Sequence, residues 1–372
     1  EFQAAEQQTR VAQGGYLPRV DLEAAVGAER IDDPRFDDYD FTRDRVSLML
    51  NQMIYDGFAT RNRVRSSDFA ARMRYFEVLD ASERLSAEVA RAYYDVLRNR
   101  ELVELSKDNY AAHRLIYEQI ERRTRAGVSR GVDLAQAFGR LALSESNLLT
   151  DVTNLHDASM RYQRIVGETP AESLQEPELA PNLLPGTVND TLALAYASNP
   201  RMNAMIANVW SANMQKATML PRFDIRARQD FWNDKDDISG RHEEGVIELA
   251  MTYNLYNGGS DRAERRRLLF KANQAEDMRS QTCRNVRQEV SIAFNEMRAT
   301  DEQLIFLDRH QTSIDKARTA YRRQFDIGQR TLLDMLDTEN EYFMSRRAYV
   351  NARRLNAISY TRALAGTGAL VS

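Results

Sequence analysis

The sequence repeats itself in register, and this repeat limits the folds open to the chain more than any other feature. The tripeptide Tyr55-Asp56-Gly57 returns 201 positions later as Tyr256-Asn257-Gly258. Further residues of the first copy have an identical or similar residue 201 positions later, without insertion or deletion: Glu88, Val89, Ala92, Tyr93, Gly127 and Asp133. Leu17-Pro18-Arg19 matches Leu220-Pro221-Arg222 at an offset of 203. This agreement predicts two copies of one structural unit.

Each copy contains two stretches in which apolar and strongly polar side chains alternate. In the first stretch, Val20, Leu22 and Val26 alternate with charged residues such as Asp21 and Glu23. A period of two predicts strands with one apolar and one polar face, and roughly ten residues is the length of a strand that crosses a membrane. A soluble amphipathic hairpin would show the same alternation. Four strands cannot close a barrel alone, so closure would require several chains.

Each Tyr-x-Gly tripeptide is followed by roughly seventy residues rich in helix formers, which corresponds to a helix of about 100 Å. Apolar side chains in the first of these stretches recur at spacings of three and four: Leu85, Val89, Ala92 and Val96. This spacing is typical of coiled-coil packing. Gly127 and Gly328 are expected to end the long helices, because glycine readily adopts the left-handed conformation of a helix C-cap. We therefore predict one helical hairpin in each copy, made of the long helix and the helix that returns after the glycine.

The predicted organisation is a first repeat over residues 1–186 and a second repeat over residues 187–372. The first contains helix 1–17, strands 19–30 and 43–55, long helix 58–126, return helix 133–166 and an irregular proline-rich segment 167–186. The second contains helix 188–218 with a kink at Pro200, strands 222–232 and 245–255, long helix 259–327, return helix 333–365 and a C-terminal tail.

Polar, acidic loops are expected between the paired strands, at 32–40 and 233–244. The opening helix of the second copy has no full counterpart in the first, because the offset carries its start to a position before residue 1. We therefore expect part of that helix, and a signal peptide, to lie upstream of this sequence.

Composition argues against several classes of function. The 51 basic and 55 acidic residues are interleaved and give a net charge of -4, so no basic field for nucleic acid is expected. Cys283 is the single cysteine, and neither a CxxC pair nor an HExxH motif occurs. The four histidines are far apart in sequence, and no glycine-rich phosphate loop is present. We expect no enzyme activity, no metal site and no cofactor.

The sharpest motif runs from Gly328 to Asp337 and reads Gly-Gln-Arg-Thr-Leu-Leu-Asp-Met-Leu-Asp. Together with the Leu-Pro-Arg and Tyr-Asp/Asn-Gly tripeptides that flank the strands, it resembles the TolC-like outer-membrane factors over essentially the whole chain. The resemblance implies a mainly α fold with a small β part. It implies a trimeric α/β-barrel duct built from long α-helical hairpins and four transmembrane β-strands per protomer, with an internal tandem repeat.

The resemblance also implies a function and partners. The segments Gly14–Pro18 and Tyr55–Arg61 are similar to the LapE-like branch of type I secretion, which serves large adhesins. A homotrimer in the outer membrane of a Gram-negative bacterium would extend into the periplasm and meet a periplasmic adaptor (membrane fusion) protein and an inner-membrane ABC transporter or efflux pump. It would contact outer-membrane lipid and pass an exported protein substrate passively. A multidrug-efflux duct is the alternative, and a soluble periplasmic coiled-coil scaffold or adaptor is the alternative outside the class.

The family further implies roles for residues at the hairpin tips. Asp334 and Asp337 would form the periplasmic aperture as rings of carboxylates, although Asp334 would equally suit the first turn of a helix. Residues implied to lock the aperture are Arg330 and Phe325, facing Val132 and Asp133. At the positions of Phe325 and Val132 the family often has a tyrosine and a hydroxyl residue, so two polar groups are missing here. The implied adaptor-docking tips are Gly127, Val128, Ser129, Gly328, Gln329 and Thr331.

Overall fold

The computed structural model describes residues 1–31, 39–177, 183–215, 220–235 and 238–371. Its helices are α1 (Phe2–Gln13), α2 (Ala59–Arg125), α3 (Gly131–Val166), α4 (Val188–Ser198), α5 (Pro200–Met214), α6 (Ser260–Asp326) and α7 (Leu332–Thr367). Its strands are β1 (Arg19–Ile31), β2 (Tyr39–Tyr55), β3 (Arg222–Lys235) and β4 (Ile238–Thr252). A short 3-10 turn, Gly14–Tyr16, follows α1. Among the described residues, no helix is both long and apolar enough to cross a lipid bilayer.

The strands form one antiparallel sheet in the order β1-β2-β3-β4. The central pair, β2 with β3, joins the two sequence copies, and Ser47 lies opposite Asp230 in that ladder. The pairing of β2 with β3 shifts between Met53 and Tyr55, where β2 ends. The sheet therefore takes half of its strands from each copy.

The strands are longer than their alternating patterns predict. β4 begins at Ile238 rather than 245, and Tyr39 and Asp40 belong to β2, so much of each predicted loop is strand. Polar side chains break the alternation without interrupting backbone pairing, as in the Trp232–His242 and Asn233–Arg241 pairs. The predicted loop residues 32–38 and 236–237 lie outside the described part of the chain.

β4 also ends earlier than predicted, at Thr252 rather than 255. Thr252 pairs with Arg222, the first residue of β3, and the residue before Arg222 is Pro221. Proline has no backbone N–H and cannot continue the ladder. The partner strand therefore sets the end of β4.

The chain forms two compact units, and each unit takes one segment from each half of the sequence. The sheet unit comprises Glu1–Val78 and Arg201–Thr282, and the hairpin unit comprises Leu79–Pro200 and Cys283–Ser372. The predicted repeats, 1–186 and 187–372, are thus not separate compact bodies. The reason is that elements of the first copy pair with elements of the second, as β2 does with β3.

Within the sheet unit, α5 packs on the beginning of α2. The Ser66 hydroxyl donates to the backbone carbonyl of Ser211 at 3.0 Å, and the Ser211 hydroxyl donates to the carbonyl of Ser66 at 2.8 Å. One turn along α2, the rings of Phe69 and Trp210 meet at 5.3 Å. These reciprocal contacts between small and aromatic side chains fix α5 against α2.

The helix predicted over 188–218 is two helices, α4 and α5, separated at Asn199. The residue before a proline avoids the helical region, and Asn199 has a ψ of 121° ahead of Pro200. The residues at the break contact the end of α7. Asn199 Nδ2 donates to the carbonyl of Gly366 at 2.8 Å, and Ser198 Oγ donates to the carbonyl of Thr367 at 2.7 Å. Carbonyls at the end of α7, which lack partners inside the helix, are thereby satisfied.

Candidate functional site

The two long helices each turn back through a short loop that contains a left-handed glycine. Gly127 has a φ of +73° and Gly328 a φ of +77°. In the first loop the N–H of Val128 donates to the carbonyl of Arg123, and in the second the N–H of Gln329 donates to that of Gln324, both at 2.8 Å. These bonds are those of a Schellman cap, in which glycine avoids the clash that a Cβ would cause. The two turns are the hairpin tips.

Both tips present apolar side chains to their surroundings. Val128 and Val132 are 76% and 68% exposed in the first tip, and Ile327 is 68% exposed in the second. The other predicted docking residues are exposed as well, except Ser129, which is half-buried: Gly127, Gly328, Gln329 and Thr331. The structure therefore leaves the predicted tip residues available for contact.

Asp334 caps the start of α7. Its backbone N–H donates to the hydroxyl of Thr331 at 3.2 Å, while its carboxylate accepts from the Thr331 hydroxyl at 2.9 Å and from the Thr331 N–H at 3.2 Å. Hydrogen bonds from the Thr331 hydroxyl, and then from its backbone, lower the pKa of Asp334. In the first hairpin the Asp133 carboxylate accepts from the Arg130 N–H at 3.2 Å. Both carboxylates therefore have a capping role that the helix-start alternative predicts.

Arg330 is held within its own hairpin. Its Nε donates to Gln324 Oε1 at 3.0 Å, its guanidinium lies 4.2 Å from the centre of the Tyr321 ring, and it approaches the Asp334 carboxylate at 3.9 Å. Among the described residues, the guanidinium forms no hydrogen bond or ion pair with Asp133, which the family resemblance implies that it faces.

Phe325 is a core residue of the hairpin unit rather than a surface group. It is 7% exposed and belongs to a buried cluster that we call the tip cluster: Ile116 and Ile120 of α2, Ala137 of α3, Phe325 of α6, and Leu332, Met335 and Leu336 of α7. The guanidinium of Arg123 covers the ring at 5.0 Å. The tip cluster therefore holds the two hairpins of the chain together.

Asp337 lies one helical turn after Asp334 and contacts the other hairpin. Arg140 of α3 donates through a terminal nitrogen to Asp337 Oδ1 at 2.7 Å. The sequence motif did not reveal Arg140, because the pairing depends on how α3 and α7 are rotated about their axes. Its spacing from Asp133, two helical turns on the same face, is the one signal that the sequence carried.

His113 of α2 lies close to this pair. It is 3% exposed, and its Nδ1 has no hydrogen-bond partner among the described residues. Burial and, secondarily, the positive charge of Arg140 lower its pKa to about 4. The ring is therefore neutral at pH 7.

Further along the hairpin unit, buried carboxylates are paired with arginines. Arg347 of α7 forms a two-pronged ion pair with Asp151 of α3, which is 1% exposed and also accepts from the Ser106 hydroxyl of α2. Glu339, 3% exposed, accepts from Arg322 at 3.0 Å. Charges inside a helical bundle are stable only when paired in this way.

The faces of the sheet differ in polarity. Leu22, Val26 and Ile247, on one face, are 72%, 80% and 81% exposed. The opposite face carries charged pairs such as Arg222–Asp224 at 2.8 Å. Among the described residues, no three His, Cys, Asp or Glu side chains are placed to hold a metal ion.

Comparisons with known proteins agree with this architecture. A family model described as outer membrane efflux protein matches residues 1–168 and 191–367. The chain is 24% identical over 374 residues to the outer membrane efflux protein BepC of Brucella suis, with 97% of this chain and 79% of that protein covered. It is 21% identical to the alkaline protease secretion protein AprF of Pseudomonas aeruginosa, with coverages of 84% and 68%. It is 24% identical to the outer membrane protein TolC of Vibrio cholerae, with coverages of 91% and 78%.

Solved structures give the same fold at lower identity. The CmeC outer membrane channel of Campylobacter jejuni superimposes with a TM-score of 0.87 at 16% identity, covering 99% of this chain and 81% of that one. The outer membrane protein VceC of Vibrio cholerae gives a TM-score of 0.82 at 18% identity, with coverages of 99% and 90%. The predicted mainly helical fold is confirmed.

Proposed function

Because the chain belongs to the outer membrane efflux protein family, we propose that three copies assemble into a passive exit duct whose periplasmic gate is formed by the hairpin tips. The chain is a TolC-family protein of the Gram-negative outer membrane that extends into the periplasm. Its family and fold are those of channel proteins rather than enzymes. Energy for export would come from a partner.

The sheet supports membrane insertion. Its apolar side chains, including Leu22 and Ile247, share the face opposite to the charged pairs, as the register of the strands requires. Lipid would contact the apolar face, and the paired charges would face water. The outer strands β1 and β4 each have one free edge in the single chain, and pairing with neighbouring copies would remove those edges.

The carboxylates of α7 carry the gate proposal. Asp334 and Asp337 lie one turn apart, and both side chains remain partly exposed, at 39% and 57%. Threefold symmetry would place three copies of each carboxylate around one axis. Clustered carboxylates repel one another and attract cations, so the gate would favour cations. Hydrogen bonds from Thr331 hold the pKa of Asp334 below its ordinary value and so favour the charged carboxylate.

The tips would receive a periplasmic adaptor. Val128, Val132 and Ile327 expose apolar area beside polar backbone turns, as a docking surface requires. The tip cluster keeps both tips in a fixed relation within the chain, which lowers the entropy lost on docking. An inner-membrane ABC transporter or efflux pump would complete the assembly.

We propose an exported protein, in the manner of type I secretion, as the cargo. Support comes from the segments Gly14–Pro18 and Tyr55–Arg61 and from the similarity to AprF, a protein named for alkaline protease secretion. Multidrug efflux is the second candidate, favoured by the similarity to BepC, which is named as an efflux protein and is covered over more of its length.

Planar bilayers test the duct and its gate together. Wild type is compared with Asp334→Asn/Asp337→Asn, because Asn has nearly the shape of Asp and can still accept hydrogen bonds while removing the charge. Glu341→Gln removes an exposed charge from the same helix as a control. The proposal predicts defined conductance steps with a cation preference that falls in the double variant alone. Unchanged selectivity would count against the acidic gate, and failure of folded trimers to conduct would count against the duct.

A further inference from the structure

Arg140 places a positive charge on one of the two aperture carboxylates. The hydrogen bond to Asp337 Oδ1 measures 2.7 Å and links α3 of the first hairpin to α7 of the second. The Arg140 side chain is 31% exposed and that of Asp337 is 57% exposed, so the pair borders on solvent. A charge-assisted bond at this distance neutralises much of the carboxylate's field.

The tip cluster fixes the pair in place. Ala137, one turn before Arg140 on α3, is 1% exposed, and Leu336, next to Asp337 on α7, is also 1% exposed. Both residues belong to the tip cluster, so the backbones that carry the two charges are packed against one another. The guanidinium therefore reaches Asp337 with little additional ordering.

The third neighbour of the pair adds no competing charge. His113 of α2 is coupled electrostatically to Arg140 but is neutral at pH 7. The charge of Arg140 is therefore directed to its hydrogen-bond partner, the carboxylate of Asp337.

The carboxylate charge of Asp334 is neutralised less by a neighbouring arginine than that of Asp337. Arg330 approaches its carboxylate at 3.9 Å, beyond hydrogen-bond distance, while stacking on Tyr321 and donating to Gln324. The two carboxylates of the motif are thus electrically unequal, although the sequence presents them as equivalent.

We propose that Arg140 determines the cation selectivity of the aperture by neutralising Asp337, so that Asp334 supplies most of the negative field in the proposed duct. Removal of Arg140 exposes three further carboxylate charges in the trimer. At several ångströms in water, with salt screening, each charge changes the affinity for a divalent cation by about twofold, and three together give roughly a tenfold change.

The test is a cycle of four proteins recorded in planar bilayers: wild type, Arg140→Gln, Asp337→Asn and the double variant. Mg²⁺ added on the side of the tips serves as the blocking cation, and reversal potentials in a KCl gradient report selectivity. Arg140→Gln should lower the half-blocking Mg²⁺ concentration roughly tenfold and raise the preference for K⁺. Asp337→Asn alone leaves Arg140 unpaired and should shift both readouts in the opposite direction, with a higher half-blocking Mg²⁺ concentration and a lower preference for K⁺. The double variant should return to wild-type values.

A matched control removes a different exposed arginine of α3, in Arg161→Gln, and should behave as wild type. An Arg140→Gln channel with wild-type block, or a double variant that keeps the full Arg140→Gln shift, would overturn the inference while leaving the duct intact. Loss of conductance from all folded variants, wild type included, would overturn the duct and this inference with it.

Discussion

Replacing His113 by Gln removes a buried titratable ring from α2 and should remove much of the acid sensitivity of the hairpin unit. In the folded chain the pKa of His113 is lowered to about 4, mainly by burial, against 6.5 for a free side chain. As the pH falls below 6.5 the unfolded chain binds a proton that the folded chain excludes until about pH 4. Stability is therefore complete above pH 6.5 and declines between 6.5 and 4.

The size of the effect follows from the two pKa values. The gap between 6.5 and about 4, at 1.36 kcal/mol for each pH unit, amounts to about 3 kcal/mol. This is a large share of the free energy that holds a typical domain together. The site is more costly still when the ring is charged, because an N–H at Nδ1 would have no acceptor among the residues that the structure describes.

Amide hydrogen exchange measures the effect locally, without requiring reversible unfolding of a membrane protein. Opening free energies for amides in 109–117 and 134–141 would be followed from pH 7 to pH 4.5 and corrected for intrinsic exchange rates. Wild type should lose stability across this range, and His113→Gln should lose much less. His156→Gln, an exposed site on α3, should keep the wild-type slope. An unchanged slope in His113→Gln would refute the reasoning.

Three further predictions concern packing and charge in the hairpin unit. Leu336→Ala should destabilise the tip cluster by about 2–5 kcal/mol in hydrogen exchange, while Leu333→Ala, at a half-exposed site, should cost far less. Thr331→Ala should cost about 1 kcal/mol at the start of α7 and raise the pKa of Asp334, measured by carboxyl NMR titration, because the hydroxyl is the main cause of its lowering. Arg347→Met should destabilise the hairpin unit by about 3–5 kcal/mol in thermal unfolding, because it leaves the buried charge of Asp151 unpaired. Arg347→Met/Asp151→Leu should recover much of that loss. If the double variant recovers nothing, an unpaired buried charge is not the cause of the destabilisation.

The features that the sequence predicted well depend on local chemistry. Gly127 and Gly328 end their helices because a left-handed residue is needed within one turn, and Thr331 and Asp334 begin α7 through bonds three residues apart. The alternating pattern also predicted the apolar face of the strands correctly, because successive side chains of a strand always point to opposite faces.

The features that were missed depend on packing between elements. The burial of Phe325 by side chains from α2 and α7 could not be read from the sequence, which gave Phe325 only as implied to face Val132 and Asp133. The Arg140–Asp337 pair depends on the rotation of two helices that are far apart in sequence. The early start of β4 was missed because backbone pairing at His242 is independent of side-chain alternation.

The central claim, that cargo and ions pass between the tips of α7, is tested most directly by blocking that path chemically. Asp337→Cys would be built into a Cys283→Ser background, so that each protomer carries one thiol, and single-channel current would be recorded while a cationic methanethiosulfonate reagent is added. The account predicts a stepwise fall in current as the thiols of the trimer react, reversed by dithiothreitol, with no response from Cys283→Ser alone. An unchanged current from channels whose thiols are fully modified by mass spectrometry would contradict it.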